Sequence, residues 1–197
     1  MVYKDRGSKF LAILFPARNE EAFQNKLQEL RTEYWDATHH CNAYRINPEQ
    51  PIEFSSDDGE PGGTAGLPML NQLKSANLVD VGAIVVRYFG GTKLGKAGLI
   101  EAYGNSTQEV IESAILQTIK LVQFFEVTYP YNQENLINKL VLNYGLHEQE
   151  ATYTDDVTKT FACELAKAPQ FLKELQTYAH LNIAFETGRK TYINADL

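Results

Sequence analysis

The stretch Val81–Phe89 constrains this chain more than any other. Its centre, Ala83-Ile84-Val85-Val86, is apolar at successive positions, and neighbouring side chains of a strand point to opposite faces. A run apolar on both faces needs packing on both sides, which places it centrally in its sheet. Everything upstream reads as elements that build that sheet and cover it.

Ser8–Ala17 is an apolar, β-rich stretch. Asn19 follows as a helix cap, with Glu20 and Glu21 well placed in the first turn. Phe23, Leu27, Leu30 and Tyr34 recur at helical spacing and give that helix one buried stripe. His40–Ile46 and Ile52–Ser56 read as strands, with Pro48 and Pro51 punctuating the link. The glycine-rich stretch Asp57–Gly66 opens a helix in which Met69, Leu70 and Leu73 face inward, ending near Asn77. A second glycine-rich loop, Gly90–Gly98, leads into a helix to about Gln117. Its expected stripe includes Ile100, Tyr103, Thr107, Val110, Ile111 and Ala114.

A second unit begins at Leu121. Strand (121–129), helix (133–144), strand (148–154), the turn Asp155-Asp156, strand (157–165), helix (169–179) and strand (181–187) make βαββαβ, the ferredoxin-like order. The polar residues of this half read as solvated faces. The fold class is α+β, with domains 1–120 and 121–197 and a boundary near 119–124.

Bulk properties narrow the function. No apolar run reaches the roughly 18 residues of a membrane span, and the first residues lack the apolar core of a signal peptide. A cytoplasmic protein with no membrane partner is expected. Cys41 and Cys163 are too few and too far apart for a disulfide framework and read as ordinary thiols. The net charge is −7. Residues 1–122 hold 12 cationic and 15 acidic side chains, and the remainder 6 and 10. Neither half is basic, so any nucleic-acid site is a local patch.

The two glycine-rich loops carry the strongest chemical signal. Successive backbone N–H groups can form an anion-binding nest, and a helix N-terminus adds donors and partial positive charge. Gly62, Gly63 and Thr64 precede one helix; Gly91 and Gly95 lie at the start of the other, with Arg87, Lys93 and Lys96 as basic neighbours and Tyr88 available to stack. The alternative is that the glycines only permit tight turns. Gly90–Ala97 approaches the P-loop signature but has Ala97 where a hydroxyl should hold Mg²⁺. Asp57, Asp58 and Glu60 form either a Mg²⁺ or acid/base cluster, or a set of turn caps and partners for Arg and Lys. No cofactor is expected beyond that Mg²⁺. His39, His40 and Cys41 are a poor zinc set, because strand neighbours diverge; one histidine hydrogen-bonded near the cleft fits better. No nucleophile-elbow pattern surrounds Ser55 or Ser56.

Together the segments Arg6–Phe10, Asp36–Arg45, Ser56–Pro68, Val85–Gly95 and Ala102–Tyr103 resemble the IMPACT (YigZ-like) family in order and spacing. The resemblance spans most of residues 1–120. It implies a first domain like domain 2 of ribosomal protein S5, followed by a ferredoxin-like domain. That pair is similar to the last two domains of elongation factor G, which implies RNA or ribosome contact. Eukaryotic relatives regulate translation through an additional N-terminal domain, so their partner is not carried over. At two positions the chain departs from the family pattern: Ala97 stands where a glycine is common and Glu101 where an arginine is common. Both weaken anion binding at this loop.

The leading expectation is a non-enzymatic binding protein contacting RNA, the ribosome or a translation factor. One alternative is a Mg²⁺-assisted phosphoester or nucleotide enzyme using Asp57, Asp58, Glu60 and Lys93. The other is a protein–protein regulator without nucleic-acid contact.

Overall fold

The computed structural model describes residues 1–195. The first of two compact units, Met1–Ile115, holds β1 (Val2–Asp5), β2 (Ser8–Pro16), α1 (Glu20–Glu33), β3 (His39–Ile46), β4 (Ile52–Ser56), α2 (Gly66–Ser75), β5 (Val81–Tyr88) and α3 (Gly95–Glu112). Its sheet has the order β1-β2-β5-β3-β4, with every neighbouring pair antiparallel. The doubly apolar strand β5 lies at the centre and is buried from Val81 to Arg87. Ile84 and Val86 pack with Phe23, Leu27 and Leu30 of α1. On the other face, Ala83 and Val85 pack with Met69, Leu73, Leu99 and Tyr103 of α2 and α3. Fully burying an apolar helix side chain of this kind contributes on the order of 1.5–3 kcal/mol.

Local signals set the helix ends. Asn19 accepts a hydrogen bond from the Ala22 N–H at 2.8 Å and caps α1. Helix α3 stops at Glu112, short of Gln117, and its buried face is Leu99, Ala102, Tyr103, Ser106, Thr107 and Ile111. Ile100, expected inside, is 46% exposed. The stripe contains Ser106 and Thr107, whose hydroxyls donate to the Tyr103 carbonyl at 3.1 and 2.8 Å. Polar groups satisfied in this way can be buried; the expected positions Tyr103, Thr107 and Ile111 do lie inside, while Leu99 takes the place expected of Ile100.

The second unit, Leu116–Leu197, contains β6 (Ile119–Tyr129), α4 (Glu134–Tyr144), β7 (His147–Tyr153), β8 (Val157–Glu164), α5 (Ala168–Thr177) and β9 (Ala184–Asn194). The antiparallel order β7-β8-β6-β9 is that of a ferredoxin-like βαββαβ sheet. Strand β9 runs well past Thr187, because the long β6 pairs with it from Ile119↔Asn194 to Thr128↔Ala184. Not every polar residue here is a solvated face. Lys159 is buried and bridges Glu134 at 3.0 Å and Glu148 at 3.1 Å. Among the described residues no helix is long and apolar enough to cross a membrane.

The β1–β2 turn, with Arg6 at φ 44 and Gly7 at φ 82, runs against the start of the loop after β5. A Cβ on Gly90 would fall 2.0 Å from the Gly7 carbonyl carbon and 2.2 Å from the Ser8 nitrogen. Gly90→Ala is therefore expected to destabilise the protein by about 1–3 kcal/mol, as overpacking does. A urea titration followed by circular dichroism checks this; an unchanged midpoint would show that the turn moves aside freely.

Candidate functional site

The quoted sequence segments meet at one end of the first sheet, where β3, β5 and the Asp57–Gly66 loop come together. Strand alternation decides which side chains share a face. Arg87 stands opposite Phe10 and His39, and Tyr88 stands opposite Lys9. Arg87 therefore lies on the side of α2 and α3, and Tyr88 packs on the side of α1. The two do not line one cleft.

Arg87 is 5% exposed, and its guanidinium donates to Glu60 Oε1. It lies 3.4 Å from Ser8 Oγ and stacks over Phe10 and Phe89, at 5.3 and 5.6 Å from the ring centroids. Glu60 Oε1 also accepts the Tyr103 hydroxyl at 2.9 Å, and His39 Nε2 is 3.8 Å away. Cys41 Sγ sits 3.2 Å from the Tyr103 hydroxyl and 3.0 Å from the Asp57 carbonyl oxygen. Burial pushes the Cys41 thiol and the Tyr103 phenol far up, so both stay protonated. This network joins β2, β3, β5, α3 and the loop through polar groups withheld from water.

Asp57 fills the first glycine-rich cradle itself. Its Oδ2 accepts from the Gly63 N–H at 2.8 Å, and its Oδ1 from the N–H groups of Ala65 and Gly66, each at 2.9 Å. An acidic side chain thus occupies the α2 N-terminus, where an external anion was expected. Thr64 is buried, its hydroxyl donating to the Pro61 carbonyl at 2.6 Å; Gly62 and Gly63 form the exposed rim. Burial opposes ionisation of Asp57, yet the amides of Gly63, Ala65, Gly66 and Thr64 hold its carboxyl below the usual range. Asp58 turns the other way. Its Oδ1 accepts from Arg31 at 2.8 Å and its Oδ2 from the His40 N–H at 2.7 Å. His39 Nδ1 is 2.8 Å from the Asp58 carbonyl. His40 lies on the α1 side, where burial lowers its pKa and Nε2 has no partner among the described residues.

Asp57, Asp58 and Glu60 therefore point to three separate sets of partners. Among the described residues no group of three His, Cys, Asp or Glu side chains is placed to hold a metal ion, and the Mg²⁺ cluster has no geometric support. The second glycine-rich loop is different. Lys93, Lys96, Gly91 and Gly95 are exposed, Gly91 and Gly95 adopt φ of 84 and 74, and among the described residues no side chain caps α3 at Leu94. Glu101 lies further along α3, on a cavity of about 400 Å³ between α2 and α3 that Leu67, Gln72 and Ile100 also line. Sequence reasoning missed Ser8, Arg31 and Cys41 as partners. The signal for Ser8 and Cys41 was their position inside the shared segments; for Arg31 there was none.

Two substitutions test this electrostatic design. Removing Glu60 strands a buried guanidinium, so Glu60→Ala is expected to cost about 3–5 kcal/mol. Asp57→Asn loses charge-assisted bonds and is expected to cost about 1.5–3 kcal/mol at neutral pH. Because the folded Asp57 pKa is depressed, its stabilisation is complete above the unfolded value near 3.9 and is lost as pH falls through the folded one. Wild type and Asp57→Asn should therefore converge in melting temperature on acidification below about pH 4. A difference independent of pH would remove the ionic part of the argument.

Comparison with known proteins agrees with this architecture. The family described as Impact N-terminal domain matches residues 6–111, and Domain of unknown function (DUF1949) matches residues 127–178. The chain is 33% identical to IMPACT family member YvyE of Bacillus subtilis (strain 168), covering 94% of this chain and 86% of that one. It is 31% identical to IMPACT family member YigZ of Escherichia coli (strain K12), covering 91% and 89%. A crystal structure of a hypothetical protein superposes with a TM-score of 0.61 at 29% identity, over 94% of this chain and 91% of that one. The chain belongs to the IMPACT family.

Proposed function

We propose that this protein is a non-enzymatic binding protein of the translation apparatus that contacts RNA, free or within the ribosome. The observation that carries this reading is how the charged groups are divided. Asp57, Asp58 and Glu60, the carboxylates the enzymatic alternative would use, are held by internal partners. A carboxylate fixed by two or three donors is a weak base and a poor metal ligand. Lys93 and Lys96, by contrast, stand exposed on an open loop, with no ion pair among the described residues. The translation setting rests on family membership and on the likeness of the two-unit architecture to the last two domains of elongation factor G.

In this reading the RNA phosphates meet the Gly91–Gly95 amides at the start of α3 together with Lys93 and Lys96. Arg87 contributes by fixing the loop, not by touching RNA. Lys93→Ala and Lys96→Ala are each expected to weaken co-sedimentation with ribosomes and to flatten the log–log salt dependence by about 0.7–0.9, with melting temperature unchanged. Arg87→Ala should instead lower the melting temperature. Salt-independent co-sedimentation, indifferent to both lysines, would favour a protein factor as the partner and overturn the RNA reading.

A further inference from the structure

The chain's only tryptophan is not in its core. Trp35 is 82% exposed, in the connection between α1 and β3. That connection is stapled to the end of β5 by three hydrogen bonds. The Thr38 N–H donates to the Arg87 carbonyl at 2.8 Å, the Phe89 N–H to Thr38 Oγ1 at 3.1 Å, and the Tyr88 hydroxyl to Asp36 Oδ1 at 2.9 Å. An indole held in water on a fixed backbone loses little freedom on binding, which is the property of an anchor.

Beside it runs a row of side chains across the sheet. In the ladder, Lys4 stands opposite Lys9 and Lys9 opposite Tyr88. Directly opposite residues project to the same face, and Tyr88 marks this one as the α1 side. Lys4 and Lys9 are both exposed, and among the described residues neither forms an ion pair. Like charges directly opposite one another destabilise a ladder. In a chain with net charge −7, this uncompensated pair is a local exception that an anionic partner would relieve. Arg6 adds a third exposed cation in the adjoining turn. The acidic group that meets the strip among the described residues is Asp36, which accepts the Tyr88 hydroxyl.

We infer that this strip, Lys4–Lys9–Tyr88–Trp35, is a binding site for single-stranded RNA, with one base stacked on Trp35 and its flanking phosphates on Lys4 and Lys9. Exposed aromatics bordered by cations are the combination that single strands require, because every base has a stacking face and every linkage a charge. The inference rests on the RNA reading above but uses a different face from Lys93 and Lys96, so the two can fail separately.

The single tryptophan makes the test direct. The full chain is titrated with end-labelled oligouridylate, reading both the anisotropy of the label and the Trp35 emission. Binding is expected to quench Trp35. Trp35→Ala should weaken binding about tenfold, whereas Trp35→Phe keeps a stacking face and most of the affinity. The double variant Lys4→Gln/Lys9→Gln should flatten the salt dependence by about 1.4 in log–log slope without lowering the melting temperature. Oligouridylate binding with unchanged emission and full affinity in Trp35→Ala would overturn the strip while leaving the Lys93 and Lys96 reading intact. So would ribosome association that needs those lysines in a protein that ignores oligouridylate. Absence of both kinds of binding would overturn both. Equal competition by duplex RNA would count against stacking and overturn the strip as well.

Discussion

The site end of the first unit depends on one desolvated ion pair, Glu60 with Arg87. Both side chains are almost wholly withdrawn from water, and a charge so placed persists only where a partner and further hydrogen bonds answer it. Here the answers come from separated parts of the chain: Ser8 from β2, Tyr103 from α3, and His39 from β3. Loss of Glu60 leaves Arg87 and Tyr103 buried without their shared acceptor, so the network specifies the arrangement more than it adds net stability. It fixes where the Asp57–Gly66 loop meets the sheet, and Asp57 then fixes the loop's own shape.

That arrangement explains which parts of the fold and site were legible in the residues. The centrality of β5, the Asn19 cap and the βαββαβ order follow from patterns that a strand or helix imposes locally, and each is present. The stripe of α3 was legible at Tyr103, Thr107 and Ile111 but not at its start, where Leu99 and not Ile100 is buried, nor at Ser106, which enters the core by bonding back to Tyr103. Nor was the fate of the charges. Arg87 and Lys93 are alike in sequence as cations beside a glycine-rich loop, yet one is sealed under Phe89 and the other open. Only the long-range placement of Glu60 distinguishes them. The alternation that ruled out His39, His40 and Cys41 as a zinc set applies equally to Arg87 and Tyr88, and it separates the expected site into two faces.

A nest of backbone amides can receive an anion from outside or from the same chain. The first glycine-rich loop takes the second course. With Asp57 bound to three of its amides, an incoming phosphate would have to displace a carboxylate already stabilised by the helix N-terminus. Among the described residues the second loop has no such internal anion at Leu94. Two loops that look equivalent in sequence therefore have opposite roles: one is a rigid structural joint, the other an open surface.

This division bears on what the groups at the site are suited to do. Catalysis needs groups whose proton affinity is poised and whose contacts change along a reaction. The groups here are driven the other way. Cys41 and Tyr103 are pushed towards the neutral form and Asp57 towards the charged form, each far from exchanging a proton near neutrality. A network locked in this manner is suited to holding a surface still. Trp35 and the Gly90–Gly95 loop flank the same end of β5, tied to it through Thr38 and Ser8 respectively. The rigidity built around Glu60 and Arg87 is thus transmitted to both exposed surfaces, and pre-organising them lowers the entropy each loses when it meets a partner.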